Sequence, residues 1–380
     1  MLLLLAIAEC LAISLWMTAS SVTGQLSELW TLSTFETGML TTIVQLGFVA
    51  GAAIFALTNV TDICENRKLF AICAILAAIS NYCLCYCNGF ATAMVCRFLT
   101  GLFLAGVYPP GMKMISTWFT NFRGLAIGTL VGALTLGKAA PYFLKWIGGG
   151  DWQDVVSWSS AGAIAAGILV AALYRSGPNV FAKRPFNLSL VSEVLKHRET
   201  RLATFGYLGH MWELYAMWTW VPVFLAASAA QSGNVPSSAV DLVAFATIAA
   251  GAVGCIAGGF LADRVGRGLI VNAAMLISGI CCVLAGFVFG SPFWLVAIVT
   301  IVWGIFVVAD SAQFSAMVTE VAPQHAVGTA LSVQTSLGFL LTTVSIQVIP
   351  FLEQTVGWRF TFGILMFGPA FGIWAIRRLK

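Results

Sequence analysis

Six ionisable side chains interrupt long apolar runs of this sequence: Glu9, Arg97, Lys138, His210, Glu213 and Asp310. A charge at membrane depth loses its hydration, so such residues are rare and mark function by default. Carboxyls held away from water can gain and lose a proton as their surroundings change. Glu213, Asp310 and Glu9 are therefore candidates for proton coupling. Arg97 and Lys138 can neutralise an anionic or zwitterionic solute, and His210 can relay a proton or hold a ligand. The plainer alternative is structural, with a carboxyl kept neutral or Glu213 paired permanently with Arg97. There is no HExxH motif, Ser/His pair or paired-Asp arrangement on adjoining helices. No catalytic residue, metal or cofactor is expected.

Helical spacing gives these residues neighbours. Tyr207, His210, Glu213, Met217 and Trp220 recur at steps of three or four and form one stripe. Trp303, Asp310, Gln313 and Met317 form a second stripe, and Glu9, Ile13, Trp16 and Ser20 a third. Arg97, Gly101, Leu104 and Tyr108 form a fourth, followed by Pro109 and Pro110, which predict a kink. Trp16, Tyr108, Tyr207 and Gln313 thus join Arg97, His210 and Lys138 as candidate substrate contacts. Lys113, nearly opposite Arg97 on its helix, reads as an interfacial anchor.

Composition defines the elements that must carry these groups. Of 380 residues, 59% are hydrophobic and only 9% charged, with a mean hydropathy of +0.93. A globular domain carries about 25% charged residues. Soluble, disordered, nucleic-acid-binding and secreted disulfide-rich classes are excluded together. A spanning helix needs about 20 mostly apolar residues. Twelve runs meet that length, at 2–24, 37–60, 68–87, 90–116, 123–146, 154–175, 202–228, 239–262, 268–289, 292–318, 326–348 and 358–377. They are too long and continuous for barrel strands. The expected fold is an all-α membrane protein of twelve transmembrane helices. Residues 1–175 form an N-terminal six-helix bundle, 176–201 a cytoplasmic linker and 202–380 a C-terminal six-helix bundle.

Charge orients the spans. With the amino terminus inside, the inner loops and tail hold 14 of the 19 basic residues, while the outer loops hold Glu28, Glu36, Asp151, Asp154 and Glu353. The positive-inside rule then places both termini in the cytoplasm of a plasma (bacterial inner) membrane. Residues 2–16 also resemble the apolar core of a signal peptide, but the run continues through Val22, and removing it would spoil the match between halves. The ten cysteines lie in spans or an inner loop. Cys83 and Cys87 share a helix face that a soft metal could use, although small-residue packing is the simpler reading, and no disulfide framework is implied.

Two internal correspondences suggest a repeat. Asp62 is followed by Arg67 and Lys68, and Asp263 by Arg264 and Arg267; the two Asp residues are 201 positions apart. Trp152 and Trp358, at the opposite side, are 206 apart. Parallel six-span halves with one offset are what an internal repeat gives. The run Gly259-Phe-Leu-Ala-Asp263-Arg264-Val-Gly266-Arg267 resembles the cytoplasmic signature of the major facilitator superfamily, and the resemblance extends over essentially the whole chain. The N-terminal copy departs from it at Thr58 and Glu65. Arg97 through Gly106 is similar to that family's buried-Arg motif. Gly128, Gly137, Ala140 and Pro141 match its antiporter motif in part. The resemblance implies two pseudo-symmetric bundles, with helices 1, 4, 7 and 10 around a central cavity. It also implies that Asp62, Arg67, Lys68, Asp263, Arg264 and Arg267 form gating clusters. The subgroup most resembled is prokaryotic and loosely akin to nitrate/nitrite porters, although spans two and eight hold no Arg, which disfavours nitrate itself.

The function expected is secondary active transport of a small organic, anionic or zwitterionic solute by alternating access, coupled to protons. No GxxxxGK[ST] loop is present to bind ATP. Efflux of amphipathic compounds is the competing reading, and a membrane receptor without transport a distant third. The expected partners are a small-molecule substrate, the proton and the lipid bilayer, with no nucleic acid, and the chain is expected to act as a monomer.

Overall fold

The computed structural model describes residues 1–119, 123–148, 151–179, 187–233 and 235–379, with the side chains of residues 61, 62 and 123 outside the description. Asp62, and Arg123, Lys183, Arg184 and Lys380 among the 14 inner basic residues, therefore lie outside it, wholly or in their side chains.

The described chain is helical. Its long helices are α1 Leu2–Ser21, α2 Thr34–Leu57, α3 Asn66–Tyr86, α4 Phe90–Ser116, α5 Arg123–Ile147 and α6 Trp152–Leu173. They continue as α7 Arg198–Ser232, α8 Ser237–Val265, α9 Arg267–Val288, α10 Phe293–Val321, α11 Val327–Val356 and α12 Trp358–Ile376. Eleven are long and apolar enough to cross a membrane. The protein is a multi-pass membrane protein. The helix outside that set is α7, whose run is diluted by His210, Glu213, three Trp and two Tyr. It is also the longest, at 35 residues, and starts at Arg198, four residues before the expected run.

Several termini follow from local chemistry. Ser33 caps α2, accepting from the Glu36 backbone N–H while the Glu36 carboxylate accepts from the Ser33 N–H, a reciprocal capping box. Asp151 caps α6 through the Gln153 N–H. Several of the long helices change winding, among them α1, α4 and α10, and 3₁₀ turns also occur at Cys83–Tyr86 of α3 and Phe362–Met366 of α12. α1 tightens to a 3₁₀ turn over Ser14–Met17, α4 breaks between Leu104 and Tyr108 just before the proline pair, and α10 breaks at Asp310. The expected kink at Pro109–Pro110 is thus present one turn earlier.

The packing partners of the first six helices recur among the last six. α1 packs on α5 and α6 as α7 packs on α11 and α12, and α2 packs on α4 as α8 packs on α10. Glycines set the closest approaches. A Cβ on Gly47 of α2 would collide with the Phe98 carbonyl of α4, and one on Gly101 with the Val44 carbonyl. In the second half Gly254 meets the Ile305 carbonyl and Gly304 the Thr247 carbonyl in the same way. Gly47 to Gly254 is 207 positions and Gly101 to Gly304 is 203, close to the offsets of the acidic and Trp pairs. The two halves meet mainly along α5 against α8 and α2 against α11.

Candidate functional site

A cavity of about 1060 Å³ lies between the first and second six helices. Its walls come from α4, α5, α7, α10 and α11, with Trp16 of α1 at one end and Asp263 and Arg267 at the other. The Trp16 end is closed by rings from both halves. Trp16 lies 5.0 Å from Phe48, 5.7 Å from Tyr215 and 5.6 Å from Phe339 between centroids, and Phe48 lies 4.6 Å from Phe339. Beyond them Gln347 Nε2 donates to Thr42 Oγ1 at 3.0 Å, Trp220 Nε1 donates to the Ile346 carbonyl at 2.8 Å, and Lys145 pairs with Asp241 at 2.8 Å. The opposite rim, where α4 and α10 end, carries Ser116, Thr319 and the half-exposed Glu320.

Lys138 stands at the closed end. Its ammonium is 4.4 Å from the Trp16 ring, 4.1 Å from Tyr215 and 4.5 Å from Trp218, and it hydrogen-bonds the Tyr215 hydroxyl. The quadrupoles of three rings stabilise the cation. Among the described residues no carboxylate lies within ion-pair distance of it. The Trp16 and Trp218 indole N–H groups are buried without an acceptor among the described residues. Glu9 is fully buried behind this group, and neither of its carboxylate oxygens has a hydrogen-bond partner among the described residues. A Cβ on Gly111 of α4 would come within 2.8 Å of Glu9 Oε2, so the carboxyl lies against the backbone of α4.

Arg97 is also fully buried, but it does not line the cavity. Its guanidinium donates to the Leu15 carbonyl at 2.9 Å, the Trp16 carbonyl at 2.5 Å, Asn81 Oδ1 at 3.0 Å and the Leu40 carbonyl at 3.5 Å. The 3₁₀ turn of α1 presents the Leu15 and Trp16 carbonyls, and Arg97 donates to both. The side chain thereby fixes the turn that presents Trp16. The permanent Glu213–Arg97 pair considered as a structural alternative is not formed.

Glu213 instead faces α9 and α10. Its carboxylate accepts from Ser278 Oγ at 2.9 Å, Cys282 Sγ at 3.2 Å and Trp303 Nε1 at 2.5 Å. One turn away, His210 Nδ1 lies 2.9 Å from Asp310 Oδ1, at the break in α10. His210 Nε2 is buried without a partner among the described residues and packs against Phe314.

Five of the seven substrate-contact candidates, Trp16, Tyr108, Lys138, Tyr207 and Gln313, line the cavity, whereas Arg97 and His210 do not. The α7 stripe through His210 and Glu213 turns into the second half. The cavity face of α7 is the adjacent one, with Tyr207, Met211, Leu214, Tyr215 and Trp218. Lys113, expected as an interfacial anchor, lines the cavity instead. Spacing alone missed Tyr215, Trp218 and Phe339. The available signal was the second, more aromatic face of α7, with Tyr215 and Trp218 three residues apart.

The rim holds the charge motif of the second half. A Cβ on Gly124, in the first turn of α5, would strike the Asp263 carboxylate, so this acid abuts a helix amino terminus of the other half. Arg267 donates to Glu320 Oε1 at 2.8 Å and to Gln313 Oε1 at 2.8 Å, while Arg264 lies over the Phe260 ring at 4.0 Å. In the first half Arg67 and Lys68 both pair with Glu65, at 3.0 and 3.6 Å. Glu65, where the motif departs from glycine, gives both bases a local partner. Among the described residues no group of three His, Cys, Asp or Glu is placed to hold a metal. Cys87 Sγ lies 3.6 Å from Cys96 Sγ, on the next helix.

Apolar helices whose packing repeats between two halves, around a cavity closed at one end, define a membrane transport protein. The chain belongs to the Major Facilitator Superfamily, which it matches over residues 4–235, and it also matches the Sugar (and other) transporter family over residues 188–377. It is 27% identical over 215 residues to the MFS-type transporter pytF of Aspergillus terreus (strain NIH 2624 / FGSC A1156), covering 55% of this chain and 70% of that protein. It is 26% identical over 193 residues to the uncharacterized transporter YgaY of Escherichia coli O157:H7, covering 49% of this chain and 47% of that one. The chain thus aligns with about half of YgaY. Both relatives are described as transporters.

Proposed function

We propose that this protein is a secondary active transporter of a small organic anion or zwitterion, working by alternating access of two six-helix bundles that α5–α8 and α2–α11 join. The observation that carries this reading is Lys138, a buried ammonium at the closed end of the cavity with no carboxylate within ion-pair distance among the described residues. A buried cation is stabilised when an anion neutralises it, so the charge is matched to a cargo that brings its own negative group. In this reading α7 is a twelfth span, both termini are cytoplasmic in a bacterial inner membrane, and residues 1–175 and 202–380 are the two bundles around the 176–201 linker. The cavity then faces the cytoplasm. Trp16, Tyr108, Tyr207 and Gln313 are its further contacts.

Proton coupling belongs to the same proposal. Glu9 lies behind Lys138 in the first bundle, and Asp310 with His210 in the second; each is buried, and each has a polar atom lacking a hydrogen bond among the described residues. Glu213 already accepts three hydrogen bonds, which argues for a fixed role. Asp263 at the start of α5 and Arg267 with Gln313 and Glu320 are read as the cytoplasmic latch; Asp62, Arg67, Lys68 and Arg264 complete the paired gating motifs. The apolar walls formed by Val131, Leu134, Met211 and Leu214 favour a second reading, export of an amphipathic compound.

Uptake of small organic anions into proteoliposomes, with and without an imposed pH gradient, tests the proposal. Accumulation that follows the gradient supports it. Equal rates in both conditions remove the proton coupling, and movement of neutral solutes alone removes the anion reading.

A further inference from the structure

We propose that the Lys138 cage binds the carboxylate of a monoanion whose body is flat and apolar, an aromatic monocarboxylate being the simplest member of the class. The inference rests on the transport reading above and names its substrate class.

Donors and ring faces carry the argument. Lys138 has three N–H groups, one of which is directed to Tyr215, leaving two. The indole N–H groups of Trp16 and Trp218 have no acceptor among the described residues, and both rings lie within 4.5 Å of the same ammonium. A buried donor without an acceptor is destabilising, and both indole N–H groups belong to rings of the cage around this ammonium. A carboxylate presents about four lone-pair positions on two oxygens, enough to take the ammonium and the indole donors together. Whatever carries the carboxylate must lie against Trp16, Tyr215 and Phe339, and then against Leu134, Met211 and Leu214. Hydroxyl-rich bodies would lose their hydration to these surfaces without gaining partners. A second carboxylate fares no better. Of the other cations in the lining, Arg267 is engaged by Glu320 and Gln313 at the rim, and Lys113 stands on the rim side of Tyr108.

The test uses purified full-length protein in nanodiscs and in proteoliposomes, with benzoate, benzamide, benzylamine, lactate and succinate as probes. Benzoate is expected to raise the unfolding temperature and to enter the vesicles, while the other four do neither. Trp16→Phe and Trp218→Phe keep the rings and remove one donor each. Each is expected to weaken benzoate binding about tenfold, as loss of a hydrogen bond to a charged group does. Lys138→Gln is expected to weaken it about thirtyfold or more. Since Lys138→Gln can also disturb folding, the two Trp variants carry the decision. A response to lactate or succinate but not to benzoate overturns the substrate class and leaves anion transport standing. A response to benzylamine or benzamide alone overturns both. Benzoate binding unchanged in both Trp variants, or no response to benzoate, overturns the cage assignment.

Discussion

Gly137 of α5 rests on the backbone of Cys10 of α1, and a Cβ there would strike the Cys10 carbonyl. The residues next along each helix are Lys138 and Glu9, so one helix crossing fixes a buried base beside a buried acid. An ionised Glu9 competes with an incoming anion for the field of Lys138, whereas a protonated Glu9 does not. Proton and anion should therefore bind together. Glu9→Gln, which imitates the protonated state, is expected to retain counterflow exchange and to lose accumulation driven by a pH gradient. Accumulation that persists in this variant would remove Glu9 from the coupling.

Glu213→Gln is expected to behave differently. The carboxylate accepts from Ser278, Cys282 and Trp303, and the amide nitrogen of a glutamine would face at least one of those donors. A mismatch of this kind costs about 1–3 kcal/mol. Chemical denaturation in micelles should show that loss of stability, while gradient-driven transport in the folded fraction survives. Loss of transport at unchanged stability would return Glu213 to the list of proton carriers.

Arg97→Lys tests the fixed turn of α1. One ammonium cannot replace a planar fork that reaches Leu15, Trp16, Leu40 and Asn81. The expected destabilisation is about 3 kcal/mol or more. Tryptophan fluorescence of Trp16, in a background where other Trp residues are replaced, should shift as the turn loosens. A variant as stable as the parent would show that the turn holds without Arg97.

Gly101→Leu and Gly304→Leu test the repeat directly. Each would drive a side chain into a carbonyl of the neighbouring helix, Val44 in one half and Thr247 in the other. Overpacking of this kind costs about 1–3 kcal/mol, and more where backbone must move. Similar losses in thermal unfolding are expected from both variants. A loss confined to one would mean that the two crossings are not equivalent.

Much of this was legible in the sequence because charge is so scarce. Apolar runs located the helices, and the few charges inside them located the buried groups. What stayed hidden were contacts whose partners carry no signal of their own. Arg97 is answered by backbone carbonyls that a 3₁₀ turn exposes, and nothing in Ser14–Met17 announces that turn. Glu213 is answered by Ser278 and Cys282, ordinary packing residues on a helix without charges in its interior. A stripe drawn through the charges of α7 points into the second half. The aromatic face that meets Lys138 lies beside it, and that meeting joins residues 77 positions apart. Spacing along one helix cannot register it.

The α5–α8 seam has a mechanical consequence. It is tight along its length: a Cβ on Gly128 would lie 2.8 Å from the Cys255 carbonyl, and one on Gly259 2.9 Å from the Gly124 carbonyl, with Lys145–Asp241 at one end. The α2–α11 contact holds through Thr42 and Gln347 at the closed end, while Leu331 and Thr335 of α11 face open cavity further along. Under alternating access the molecule would be bound like a book, with α5 and α8 as its spine and α2 and α11 as the edge that opens. Tying the edge with a short thiol-reactive linker between T42C and Q347C should stop turnover. The same linker between K145C and D241C should leave the pages free to turn, and arrest by both would mean that the molecule has no spine.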